Sequence, residues 1–415
     1  MNIGILTYHC VPNFGAQLQA LSTVGYLRKR GHIPYIIHWY PDDLKDMYSK
    51  RIPAQQILCH NKFTKDYLPI TEICKTEEDV INVIDRYNFD GLLVGSDALF
   101  KYMPERERRI VRKRKLKIER RRVLSVENLE CNPFFGGFLS KIARKIPAIA
   151  FSASSQNCLY TRMKDTERET MKNYLGNYVD ISVRDNWTKQ MVEYVTGRKD
   201  VKITPDPVFS FNYNVDNVAD IERLKVKYNI KGKYVLLSFS SWYNKTTYLD
   251  AVATELLKNG LQPVFLTMPE GLYASDNFDK IDVPLNPLEW YALIKYADGY
   301  IGERMHPIVV SLHNSTPFYC FDEYGKLSKY WGLIRSYKKE SSKTFCILKD
   351  ADFLDNMYSY NSREPLPLPS EIVNKIITFD RQKCNEFAEL KKKEYDRCME
   401  HAVSIIQSNT KAKNL

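Results

Sequence analysis

Arg304 and His306 are the residues whose types and spacing point most directly to chemistry. They lie in Tyr296-Ala-Asp-Gly-Tyr-Ile-Gly-Glu-Arg-Met-His-Pro-Ile-Val-Val-Ser-Leu312. A short apolar run, Gly299 to Gly302, reads as a strand, and Pro307 opens an apolar helix-like run, since proline is tolerated in a first helical turn. Open α/β sheets bind ligands where strands end and helices begin, and the free N–H groups of such a helix start favour an anion. Arginine can fork onto phosphate or carboxylate, and histidine exchanges protons near neutrality. The segment therefore predicts an anion site with a proton donor or acceptor beside it. The alternative is a surface arginine next to a packed histidine.

The surrounding chain alternates strand-like and helix-like stretches, as a parallel α/β protein requires. Ile3 to Thr7 is a short apolar strand, Asn13 to Ala16 a glycine-containing turn, and Gln17 to Arg30 a helix closed by Gly31. Further strands are expected at Pro34–Trp39, Gly91–Val94, Pro147–Ser152 and Val179–Val183, the last delivering Arg184-Asp185. Thr76 to Tyr87 reads as a helix capped by Thr76 with Asp79 three residues on. A second series starts near Lys233, with strands at Tyr234–Phe239, Pro263–Thr267, Gly299–Gly302 and Pro317–Phe321, and helices at Thr247–Asn259 and Pro287–Ala297. Ser370 to Ile406 reads as one or two helices. The predicted fold is α/β, with two Rossmann-like domains facing a cleft: 1–207, 208–365, and C-terminal helices over 366–415 that pack back across both.

At 415 residues, two cores are the natural expectation. No apolar run is long enough for a membrane span, and Met1-Asn2 leads straight into the first strand without a basic leader. The nine scattered cysteines form no Cys-x-x-Cys pair, which favours reduced thiols in a cytoplasmic protein and no structural zinc. No metal is predicted; His313 follows His306 by two helical turns, but no third ligand accompanies them. The net charge of +11 is concentrated between Lys101 and Arg122, where 12 Lys/Arg face 3 Asp/Glu. No nucleic-acid motif accompanies it, so no nucleic-acid partner is expected. Residues 100–146 form an insert. Its second half sets Phe134, Phe135, Phe138, Leu139, Ile142 and Ile146 near one helical face, with Lys141, Arg144 and Lys145 off it. That pattern predicts an interfacial helix on an anionic membrane; the alternative is an ordinary core-facing helix.

Six elements, in order, give the chain a resemblance. They are Gly4-Ile-Leu-Thr-Tyr8 with Asn13-Phe-Gly-Ala-Gln-Leu-Gln-Ala20, then Val94-Gly-Ser-Asp97, Ala150-Phe-Ser-Ala-Ser154, Ile181-Ser-Val-Arg-Asp185, Pro205-Asp-Pro-Val-Phe209 and Glu303-Arg-Met-His306. Together they resemble the polysaccharide pyruvyl transferase family over roughly residues 1 to 325. The resemblance implies a two-domain fold similar to GT-B glycosyltransferases. It also implies transfer of the enolpyruvyl unit of phosphoenolpyruvate to two sugar hydroxyls, making a cyclic pyruvate ketal without a further cofactor. The chain departs from the family pattern at Ala98-Leu-Phe100, where members often read Gln-Val-Trp, and in the length of the insert.

Under the resemblance, Arg184 and Arg304 meet across the cleft and clamp the donor's two anionic groups, and His306 is the general acid/base. Without it, Arg184 could equally pair with Asp185. Asp206 orients Arg184 or accepts a sugar hydroxyl, unless it simply caps a turn. His9, Asn13 and Gln17 are expected on the acceptor side of the cleft, with Gly15 allowing close backbone approach. Met305, Ser96, Asp97 and Ser152, all within the matching motifs, join the substrate-binding set; by its position after the first strand of the second series, Trp242 is either a stacking platform for a sugar ring or a core residue. The expected partners are phosphoenolpyruvate, a sugar acceptor carried on a polyprenyl diphosphate, and an anionic membrane surface met by residues 101–146. That sets the protein at the inner face of the plasma membrane. A GT-B glycosyltransferase using a nucleotide sugar, or a non-catalytic assembly factor, would share the architecture.

Overall fold

The computed structural model describes residues 1–104, 106–112, 115–121, 125–156, 158–216, 218–240, 246–322, 326–328, 335–337, 339–360 and 364–411. Two parallel sheets organise it. Strands β1 (Asn2–Leu6), β2 (Ile33–Trp39), β3 (Ile70–Cys74), β4 (Gly91–Val94), β7 (Ala148–Ala153), β8 (Asp180–Val183) and β9 (Lys202–Ile203) form a seven-stranded sheet in the order β3-β2-β1-β4-β7-β8-β9. Between β4 and β7 in the chain, β5 (Arg106–Arg112) and β6 (Lys115–Arg121) pair only with each other. The second sheet has six strands. They are β10 (Tyr234–Ser238), β11 (Gln262–Leu266), β12 (Asp279–Ile281), β13 (Gly299–Glu303), β14 (Phe318–Asp322) and β17 (Met357–Ser359), in the order β12-β11-β10-β13-β14-β17. A two-stranded ladder, β15 (Lys326–Ser328) with β16 (Arg335–Tyr337), lies before β17 in the chain. The central strands read as near-continuous apolar runs because both sheet faces are covered; β4, β7, β10 and β13 are buried along their whole length.

The strand order places a switch point in each sheet. β1 is flanked by β2 and β4, and β10 by β11 and β13. The chain therefore leaves in opposite directions at those two places, and a crevice opens at the carboxyl ends. The loop after β4 carries Ser96 and Asp97, and the corner after β13 carries Arg304 and His306.

Several local expectations change in the folded chain. Asn13 to Ala16 is not a free turn: Asn13 accepts a hydrogen bond from the Ala16 N–H at 3.3 Å and caps a helix running Phe14–Lys29. The interfacial helix expected after Pro133 is absent. Gly136, with φ of 83°, breaks the segment into two short 3-10 turns, Pro133–Phe135 and Gly137–Ser140. Phe134, Phe135 and Phe138 are fully buried, Tyr8 and Phe100 pack on the first two rings, and Tyr178 donates its hydroxyl to the Phe134 carbonyl at 2.7 Å. These rings serve the first sheet's core, which leaves no apolar face for lipid. The capping box Thr76/Asp79 is present at the start of helix Glu77–Arg86.

The two halves share one continuous core. Phe14 stacks on Trp290 of helix Pro287–Lys295 with centroids 5.1 Å apart, and Leu18, Met305 and Ile308 belong to the same cluster. Helix Arg381–Lys411 returns across the molecule: Phe387 packs on Phe209, Tyr395 on Tyr26, and Ile406 sits against Gly91 of β4. Among the described residues no helix is long and apolar enough to cross a membrane.

Candidate active site

The first sheet contributes a buried ionic network. β8 ends at Val183, so the next side chain, Arg184, emerges at the carboxyl edge. Its Nη1 donates to Asp206 Oδ2 at 2.8 Å and its Nη2 to Asp97 Oδ1 at 3.2 Å, while the side chain is 6% exposed. Asp206 is more enclosed still and is saturated: it also accepts from the Gln19 amide and from the Val208 N–H. Asp97, just beyond β4, takes a positive φ of 89°. Burial disfavours its carboxylate, yet the charges of Lys343, His306 and Arg184 together hold it well below the ordinary carboxylate range. Burial likewise opposes the Arg184 charge, and Asp206 and Asp97 outweigh it.

The second sheet contributes the histidine. At the end of β13, Arg304 adopts φ 76° and ψ 151°, close to a region reserved almost wholly for glycine. Such a conformation costs on the order of 1–3 kcal/mol. It turns the chain sharply into helix Met305–Asn314 and sets His306 on the first turn. The helix Phe14–Lys29 meets it there: a Cβ on Gly15 would overlap His306 Cγ and Nδ1, so only glycine admits the imidazole so close. The His306 Nε2 is sealed from solvent and has no hydrogen-bond partner among the described residues. Burial lowers the imidazole's pKa, against the opposing pull of Asp97 and Asp206. Arg184 Nε and Ser96 Oγ are likewise buried without a hydrogen-bond partner among the described residues. Buried polar atoms are normally bonded, so these atoms, on Asp97's sequence neighbour and on two residues that act electrostatically on Asp97, are candidate contacts for a polar ligand.

The structure sorts the other expected site residues. Asn13, Gly15, Arg304 and His306 line one crevice together with Phe14, Trp290 and Glu303. Arg304 does not reach Arg184's network. Its side chain is 43% exposed and donates to Glu270 Oε1 at 2.8 Å. The second-sheet cation that does reach it is Lys343, whose Nζ lies 3.8 Å from Asp97 Oδ1. His9 and Gln17 do not face the cleft. His9 is fully buried, bonded through Nε2 to His38 Nδ1 at 2.7 Å, and burial with the His38 charge pushes its pKa down to about 3. Gln17 donates to the carbonyls of His9 and His60 and to the Thr64 hydroxyl, tying the first loop to helix Ala54–Tyr67. Ser152 is also internal: its hydroxyl donates to the Thr204 and Pro205 carbonyls and fixes the strand that presents Asp206. Met305 is a core residue. Trp242 lies outside the described residues.

Three participants escape a reading of local pattern. Gln19 faces Asp206 from the helix that Gln17 also occupies. Glu303 is buried, accepts from the Ser240 N–H and hydroxyl and from the Tyr360 hydroxyl, and has its pKa raised by burial. Lys343 opens helix Lys343–Asp350, capped by Ser342. A cation in the first turn opposes the helix dipole, and that oddity is the only signal the sequence holds for it.

A family model described as polysaccharide pyruvyl transferase matches residues 13–323. Among solved structures, spinosyn forosaminyltransferase SpnP is similar over 98% of this chain and 99% of its own, with a TM-score of 0.50 and 8% sequence identity. UGT89C1 of Arabidopsis thaliana, complexed with UDP, is similar over 98% of this chain and 99% of its own, with a TM-score of 0.51 and 8% identity. At such identities the likeness is one of fold, the two-domain GT-B arrangement. No curated protein sequence matches the chain.

Proposed function

Because the chain belongs to the polysaccharide pyruvyl transferase family, we propose that it transfers pyruvate from phosphoenolpyruvate to two hydroxyls of one sugar and forms a cyclic ketal. The supporting observation is a pair of buried nitrogens without a partner among the described residues, Arg184 Nε and His306 Nε2, on two residues that both act electrostatically on Asp97. One is a fixed cation that suits a phosphate or carboxylate; the other is a group that can take and return a proton.

The reaction balances as follows. A proton adds to the donor's methylene carbon, using the double-bond electrons, and leaves the neighbouring carbon electrophilic. A sugar hydroxyl attacks that carbon and gives up its proton. The carbon–oxygen bond to phosphate breaks, and inorganic phosphate departs. The second hydroxyl closes the ring and releases the second proton, so of the two protons released one matches the methyl group and one leaves on phosphate. His306, whose neutral form burial favours, accepts the hydroxyl proton; an anionic donor alongside favours the imidazolium that results. Arg184, fixed by Asp206, orients the donor.

The same reading extends to an acceptor on a polyprenyl diphosphate, met at the inner membrane face. Its support is charge: residues 106–121 carry 10 Lys/Arg against 2 Asp/Glu, and Arg106–Arg112 and Lys115–Arg121 are the paired strands β5 and β6. We expect the full chain to sediment with vesicles containing anionic lipid, to release as salt rises, and to lose binding when residues 105–124 are replaced by a short glycine-serine link. Absence of sedimentation by the intact chain at low salt removes this part of the proposal.

The test of the reaction is phosphate release from phosphoenolpyruvate with free and lipid-linked sugars, followed by mass spectrometry. A product heavier than the acceptor by pyruvate less water, cleaved by mild acid, is expected. No release with any acceptor, together with thermal stabilisation by a nucleoside diphosphate and none by phosphoenolpyruvate, would replace this reading with glycosyl transfer.

A further inference from the structure

Arg184 is poorly equipped to hold a trianion alone. Each of its Nη atoms gives one N–H to a carboxylate, Asp206 or Asp97, and its Nε N–H is buried without a partner among the described residues. The local charge count is also adverse: Asp97 and Asp206 set two carboxylates against one guanidinium. Arg304, the arginine that sequence spacing offers as a second cation, is bound to Glu270 in its own half.

Lys343 changes this balance. It comes from helix Lys343–Asp350, beyond residue 323 where the family match ends. The helix is anchored at its start by Ser342, whose hydroxyl donates to Asp322 Oδ2 at 2.7 Å, at the end of β14. Its Nζ lies 3.8 Å from Asp97 Oδ1, an ion-pair distance longer than a hydrogen bond, so its N–H groups are not consumed by that carboxylate. The side chain is 19% exposed, buried enough to feel the network and open enough to meet a ligand.

We propose that Lys343 is a donor-binding residue whose ammonium takes an anionic group of phosphoenolpyruvate beside Arg184, a role that rests on the reaction proposed above. Lys343 sets a second cation beside Arg184 against the carboxylates of Asp97, Asp206 and the nearby Asp185, and the entering anion then meets Arg184 Nε and the ammonium together. Lys343 thus supplies, from the second half of the molecule, the cross-cleft cation that the spacing of Arg304 suggests. The groups facing its ammonium are Arg184, Asp97, Asp185 and Asp206, with His306 across Asp97. Burial and Arg184 bring the ammonium down to about 8, against the pull of the three carboxylates. Since kcat/KM reports groups of the free enzyme, donor capture should decline above about pH 8.

The experiment uses the full chain with phosphoenolpyruvate, comparing wild type, Lys343→Met and Lys343→Arg. Lys343→Met should raise the KM for phosphoenolpyruvate by about 10- to 100-fold, the worth of one charge-assisted hydrogen bond, with a smaller change in kcat. It should also abolish most of the melting shift that phosphoenolpyruvate gives the wild type. Lys343→Arg should recover most of the donor affinity and carry the falling limb of kcat/KM to higher pH. If Lys343→Met melts lower but keeps the wild-type KM, Lys343 merely neutralises Asp97 and the assignment is overturned while the reaction stands. A wild type that neither consumes phosphoenolpyruvate nor is stabilised by it overturns both.

Discussion

Replacing His306 by alanine should lower pyruvyl transfer by about 10²- to 10⁴-fold, the usual worth of a positioned acid or base, while leaving the melting temperature near that of the wild type. The fold should tolerate the change because the imidazole Nε2 bonds to no described residue and the ring sits at the edge of the crevice, not within the continuous core. Gly15→Ala sharpens this expectation. It leaves the imidazole in place chemically but drives a methyl into the space His306 occupies. A displacement of about 1 Å at a reacting group can cost about 10²-fold, so this variant should lose kcat with the acid/base group still present. Initial rates of phosphate release, with circular dichroism as the check on folding, measure both. Wild-type rates for His306→Ala would remove the residue from the mechanism.

Asp206→Ala should lower stability by about 1–3 kcal/mol for each buried donor it leaves unsatisfied, because Arg184 then keeps only its bond to Asp97. The Arg184 side chain is 6% exposed and that of Asp206 is 1% exposed. Removing the carboxylate also strands the Gln19 amide and the Val208 N–H. Asp206→Asn should cost less, since the amide oxygen can still accept one of these bonds. Urea unfolding followed by fluorescence measures the difference; an unchanged midpoint for Asp206→Ala would show that the network adds nothing to the fold. Any loss of activity in Asp206→Asn at temperatures where it remains folded then reports Arg184's orientation, separately from stability.

Much of the architecture is legible in the chain because burial leaves a local trace. β1, β4, β8, β10 and β13 each stand within a residue or two of where apolar runs and glycine boundaries put them, and helix Glu77–Arg86 begins at the expected cap. The same local logic sets Arg184 after β8 and His306 just after β13, since both positions follow from where a strand stops. The family match from residue 13 to 323 covers the segment in which all of these but β1 lie.

Which side chains meet is a different matter. Arg184 finds Asp97 across 87 positions of chain and Asp206 across 22, because β4, β7 and β8 are neighbours in the sheet, and nothing in the periodicity of any one strand states that order. Lys343 stands where Arg304 was expected for the same reason. A two-residue step from His306 keeps Arg304 nearby in sequence but points it to Glu270, whereas the docking of a separate helix brings Lys343 to Asp97. Gln17 and His9 carry the polar types of a binding loop, yet helix Ala54–Tyr67 closes over them and uses their hydrogen bonds internally. Phe134, Phe135 and Phe138 fit a membrane-facing stripe by spacing alone, and Gly136 together with the rings of Tyr8 and Phe100 turns them inward. Local pattern, then, determined the elements and the places where Arg184 and His306 emerge, because a strand or helix records its own burial. The tertiary structure alone decided the partners, because pairing energies act between surfaces brought together by sheet order and helix docking, which no stretch of sequence carries by itself.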